Sequence, residues 1–122
     1  MAGRRKFSLR GREPAFLAVA SLGLSLLAGL AWADLAPSHF QVSQRGRAFQ
    51  PAELSIKRGD VLQIVNDDGD LLHHAYVESD VFNFDSGDQL PGSKTDVIFS
   101  VRGTFNVLCG IHPKMKLVVV VK

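Results

Sequence analysis

The sequence holds a single cysteine in 122 residues, so no disulfide can form within the chain. The paired-cysteine spacing of a structural zinc site is missing for the same reason. No helical hydrophobic period of useful length runs along residues 34–122, and there is no internal repeat or low-complexity tract there. These absences exclude a disulfide scaffold, a helical bundle and a repeat array. No nucleophile-and-base arrangement of the kind covalent catalysis needs stands out either. Small secreted domains with modest cores commonly compensate with disulfides or a metal, and here only the second route is open.

What the N-terminus does have is a leader. Arg4, Arg5, Lys6, Arg10 and Arg12 precede a nearly unbroken apolar run from Ala15 to Ala31, closed by Ala31-Trp32-Ala33. That order is expected of a secretory signal peptide over residues 1–33, cleaved after Ala33. Arg4-Arg5 followed by Lys6-Phe7 also resembles a twin-arginine export signal, an address for the bacterial periplasm. Left uncleaved, the run would be a membrane anchor, for which roughly 20 apolar residues are needed. Cleavage leaves residues 34–122 as one domain with no membrane span. It removes five of 14 basic and one of 12 acidic residues, leaving 9 against 11 and a formal charge of −2. Nothing in that balance argues for nucleic-acid binding. An odd cysteine in an exported protein is an intermolecular partner, a free thiol or a metal ligand.

Short runs with period-two alternation recur every eight to twelve residues between Gly, Pro, Asn and Asp clusters, the pattern of an all-β sandwich or barrel. Strands are expected at Phe40 to Ser43, Glu53 to Lys57, Val61 to Asn66, His73 to Glu78, Thr95 to Val101, Thr104 to Cys109 and Lys116 to Val121. Ser79 to Lys94 reads as a long loop with one short strand at Val81 to Phe84. Side chains alternate between the faces of a strand. Phe105, Val107 and Cys109 therefore share one face, and His73, Ala75 and Val77 share another. His74 falls on the more polar row with Tyr76 and Glu78.

The chemistry concentrates near the C-terminus, in Cys109-Gly110-Ile111-His112-Pro113-Lys114-Met115. A cysteine ending one strand and a loop curling into the next bring thiolate, imidazole and thioether toward one point. Two histidines, one cysteine and a weak axial methionine are the ligand set of electron-transfer copper. The second histidine must come from elsewhere in the fold, and parity selects His73; His74 would need a local bulge to reach the same metal. The expected metal ligands are thus His73, Cys109, His112 and Met115. His39 reads as solvated, and Asp67, Asp68 and Asp70 read as a solvated turn.

Phe49-Gln50-Pro51, Gly59-Asp60, Asn66-Asp67, His73, Phe84-Asp85-Ser86-Gly87, Pro91-Gly92 and Gly103-Thr104-Phe105, followed by the loop from Cys109 to Met115, form a pattern. From about Phe49 to Lys122 the chain resembles the cupredoxins, particularly amicyanin- and plastocyanin-like proteins. The two-residue gap between His112 and Met115 is similar to the short ligand loop of amicyanins. Leu72, His74 and Lys114 depart from residues common in the family. The resemblance implies a Greek-key β-sandwich with one type 1 (blue) copper ion near one end. It also implies Cu(I)/Cu(II) cycling and redox proteins, such as a c-type cytochrome or a dehydrogenase, as partners. The expected function is electron transport in the periplasm by a monomer that is not an enzyme. The alternative is a copper carrier or storage protein using the same ligands.

Overall fold

The computed structural model describes Gly11 and residues 36–122. The expected signal peptide, Gly11 apart, lies outside the described residues. Among those residues no helix is long and apolar enough to cross a membrane. The chain from residue 37 onward runs through nine strands: β1 (His39–Arg45), β2 (Ala48–Gln50), β3 (Glu53–Ile56), β4 (Val61–Asn66), β5 (Ala75–Val77), β6 (Phe84–Asp85), β7 (Lys94–Ile98), β8 (Gly103–Cys109) and β9 (Lys116–Val121). They form one sheet in the order β2-β1-β4-β7 and a second in the order β3-β9-β8-β5-β6. β1 pairs with β4, and β3 with β9, in parallel; the other pairings are antiparallel.

Period-two alternation does the folding work. Val42 of β1, with Leu62 and Ile64 of β4, turns one row inward from the first sheet. Phe105 and Val107 of β8, with Leu117, Val119 and Val121 of β9, answer from the second. Both rows join one core, and each fully buried aliphatic side chain contributes about 1.5–3 kcal/mol of apolar transfer. Phe82, Phe99 and Phe105 stack against one another with centroids 4.9, 5.5 and 5.7 Å apart. Asp60 braces the sandwich by accepting the Ser38 N–H at 2.8 Å and the Lys57 N–H at 2.7 Å. Those two donors hold its carboxyl below the usual range.

Besides small shifts at the ends of β1, β3 and β8, four departures from the sequence expectation bear on the fold and the site. β2 was not expected. Gly46 and Arg47 have φ of 60° and 62°, the left-handed pair of a tight two-residue hairpin, so Ala48–Gln50 folds back on β1. Such turns usually announce themselves with Asn-Gly or Gly-Gly, and arginine in the second place hides this one. β7 stops at Ile98 rather than Val101, because Ile98 already faces Val61, the first residue of β4. Phe99 instead gives its carbonyl to the Gly59 N–H at 2.9 Å and buries its ring. The short strand expected at Val81 to Phe84 sits at Phe84–Asp85, paired with Val77 and Tyr76. β5 begins at Ala75, and His73 stands just outside it in an isolated bridge to Gln89.

Candidate metal centre

β8 and β5 lie side by side with Cys109 opposite Ala75 and Leu108 opposite Tyr76. That register sets the end of β8 beside the histidine pair preceding β5. Past Cys109 the Gly110 N–H donates to the His74 carbonyl at 2.8 Å, so the ligand loop is pinned to β5's lead-in. The Met115 N–H then donates to the His112 carbonyl at 3.0 Å, closing the turn that feeds β9. His73 is held on its other side by two backbone bonds with Gln89, at 3.1 and 2.7 Å.

Three potential donors converge there. Cys109 Sγ lies 3.9 Å from His73 Nδ1 and 3.7 Å from His112 Nδ1, and the two Nδ1 atoms are 3.2 Å apart. A point equidistant from three atoms so spaced is about 2.1 Å from each. Metal–nitrogen and metal–thiolate bonds of about 2.0–2.3 Å span that gap. His73 is fully buried and Cys109 nearly so, while His112 is half-buried and reaches the surface. Met115 is buried beneath the loop and lines, with Arg47, His112, Pro113 and Lys114, a concavity of about 480 Å³.

The electrostatics favour lone pairs at the centre. His73 Nε2 lies 2.6 Å from Asp68 Oδ2, and Nδ1 on the other side of the ring faces Cys109. Burial, then the proximity of His73 and Arg47, lowers the His112 pKa. At 3.2 Å the two Nδ1 atoms are close enough to share a proton or to hold a cation between them.

His73, Cys109 and His112 are brought together, and Met115 lies under the same loop. His74 is turned away: it is half-buried, with Nε2 2.6 Å from Asp85 Oδ1 on the outer side. His39 is exposed, as expected. Asp68 corrects the expectation of a wholly solvated acidic turn. Its side chain is 11% exposed and faces His73. The scaffold behind His73 was not anticipated. Gln89 Oε1 accepts from Gln44 Nε2 at 2.7 Å and from the Ala75 N–H at 3.2 Å, and Gln89 Nε2 donates to Thr95 Oγ1 at 3.0 Å. Asn66 Nδ2 donates to the Leu71 and Gln89 carbonyls, each at 2.8 Å. The only sequence signal was a glutamine placed on an apolar row, Gln44 beside Val42.

The fold is cupredoxin-like. Among solved structures, the chain is similar to a reduced Cu(I) form at pH 4 of an amicyanin mutant, with TM-score 0.64 and 22% identity over 74% of this chain and 88% of that one. A purple cupredoxin from Nitrosopumilus maritimus matches with TM-score 0.61 and 20% identity over 68% of this chain and 99% of that one. A copper-containing nitrite reductase from Thermus scotoductus SA-01 matches with TM-score 0.65 and 28% identity over 71% of this chain. This chain spans only 23% of that reductase's length. No family model matches the sequence, and no curated protein does.

Two imidazoles and one soft thiolate within reach of one point, with a buried thioether at the end of the same loop, fit a single type 1 copper ion. Thiolate and thioether suit Cu(I), imidazole also serves Cu(II), and a hard-cation site would need oxygen donors. Exchange of Met115→Gln is expected to leave copper bound but lower its reduction potential, since an oxygen or nitrogen axial donor favours Cu(II) more than a thioether does. Cyclic voltammetry of the two copper-loaded proteins measures this. An unchanged potential would mean Met115 is core filler and not an axial donor.

Proposed function

We propose that this type 1 copper protein is a one-electron carrier, with copper held by His73, Cys109, His112 and Met115. The observation that carries the reading is the convergence of two Nδ1 atoms and one Sγ, 3.2–3.9 Å apart. Bound copper supplies the Cu(I)/Cu(II) couple. The chain's own residues supply the rest. His73 and Cys109 exclude water from the interior side. The Gln89, Asn66 and Gln44 bonds and the Gly110-to-His74 bond hold the donors in one arrangement, which keeps rearrangement between oxidation states small. His112, half-exposed at the loop's edge, is the contact through which an electron leaves toward a docked partner.

Residues 1–33 act as a signal peptide, of twin-arginine character, and place the mature domain in the bacterial periplasm. Its partners there are redox proteins, such as a c-type cytochrome or a dehydrogenase, met by a monomer. Four protein donors leave no position for a substrate, so the chain is not an enzyme on its own. The copper carrier or storage reading uses the same donors. The test loads the purified domain with Cu(II), then reduces it with ascorbate and reoxidises it with ferricyanide while copper content is followed by atomic absorption. The thiolate-to-copper band is expected to bleach and return at constant copper content. Rapid copper loss on reduction would identify a carrier of metal, and a colourless protein retaining zinc would overturn the copper reading.

A further inference from the structure

One acidic side chain beyond the four donors is built into the centre. Asp68 lies in the turn after β4, and its Oδ2 is 2.6 Å from Nε2 of fully buried His73. Its Oδ1 accepts the Gly46 N–H at 3.0 Å, from the tight turn between β1 and β2. Its own N–H donates to Asn66 Oδ1 at 3.0 Å, and the neighbouring Asp67 N–H donates to the Gln44 carbonyl at 3.0 Å. The carboxylate is therefore clamped between two strands of the first sheet, while the histidine it faces hangs from the second. The Gly46 N–H and the His73 ring thus take one carboxylate oxygen each and fix its orientation.

An ionised acceptor at Nε2 does two things to an imidazole. It holds the ring proton on Nε2, so the Nδ1 lone pair points at Cys109 in every molecule. It also pushes electron density through the ring, making Nδ1 a stronger donor, and a stronger donor favours Cu(II) over Cu(I). A carboxamide in the same place accepts the same hydrogen bond without the negative charge.

We propose that Asp68 is a positioning residue that locks His73 in its Nε2–H tautomer and, through that ring, strengthens Cu(II) binding and lowers the copper reduction potential. This rests on the copper reading for its second half. The first half concerns the metal-free chain.

The test uses the mature domain and its Asp68→Asn and Asp68→Ala variants. Long-range proton–nitrogen NMR of the metal-free proteins reads the His73 tautomer. Competition titration reads Cu(II) and Cu(I) affinity, and voltammetry reads the potential. Metal-free wild type is expected to show His73 with its proton on Nε2, and Asp68→Ala a mixture of tautomers. Asp68→Asn is expected to keep the tautomer and the blue band. It should weaken Cu(II) binding about 10- to 100-fold with a smaller effect on Cu(I). Each net tenfold difference raises the potential by about 59 mV. A wild-type His73 protonated on Nδ1, or an Asp68→Asn protein with unaltered Cu(II) affinity and potential, would overturn the proposal. If Asp68→Ala fails to fold, the isosteric Asp68→Asn carries the test alone. A wild type that binds no copper would defeat the copper reading, and the tautomer measurement would still judge Asp68.

Discussion

Cys109→Ser is expected to abolish the intense blue band and the reversible redox couple together. The band is a thiolate-to-copper transition, so it disappears completely once the sulfur is gone. Serine's hydroxyl is hard and weakly acidic, and it does not replace a soft thiolate beside a metal that must also be stable as Cu(I). The exchange also places a hydroxyl at a position only 3% exposed, next to Val107 and Ala75. An unpaired buried hydroxyl costs about 1–3 kcal/mol, so circular dichroism must show that the sandwich persists. With the fold intact, visible absorption and voltammetry give the answer. A serine variant that stayed intensely blue would remove Cys109 from the centre and, with it, the proposed function.

The adjacent histidines give the second large effect. His73→Ala is expected to eliminate the type 1 spectrum, whereas His74→Ala keeps its main band with at most a shifted potential. Only His73 turns Nδ1 toward the thiol, at 3.9 Å, with Asp68 behind it. His74 spends its Nε2 on Asp85, 67% exposed, and such exposed pairs contribute little to stability. What His74 gives the site is its backbone carbonyl, which receives the Gly110 N–H at 2.8 Å, and alanine keeps that bond. Visible and EPR spectra of the copper-loaded variants decide. Loss of the blue signal in His74→Ala alone would show that solution structure differs here by one residue of register.

Much of the sandwich was legible because its signals are local. The rows Phe105, Val107, Cys109 and His73, Ala75, Val77 are all buried, as period-two alternation requires. Sequence reasoning failed where local signals were weak or absent. The Gly46-Arg47 turn carries an arginine at φ 62°, so β2 went unseen. Asp68 sits among Asp67, Gly69 and Asp70, a composition that reads as a wet turn, and only packing of β1 and β2 over that turn turns it inward. Gln44 and Gln89 bond across 45 residues, a pairing no window along the chain can contain.

The sequence by itself determined the alternation that makes two sheets and the loop that carries Cys109, His112 and Met115. Both are short-range properties: a strand's period is two, and seven consecutive residues hold three donors. Strand parity already favoured His73 over His74, but only the tertiary structure brought that histidine to them. His73 lies 36 residues before Cys109, and their meeting depends on β5 pairing with β8 in one register out of several. That register follows from burying Ala75 and Val77 on the same side as Val107 and Cys109; a slip of one residue would send the row to solvent and His74 inward. Asp68 reached His73 by the same route, because core burial brings two sheets together and the polar partners between them follow.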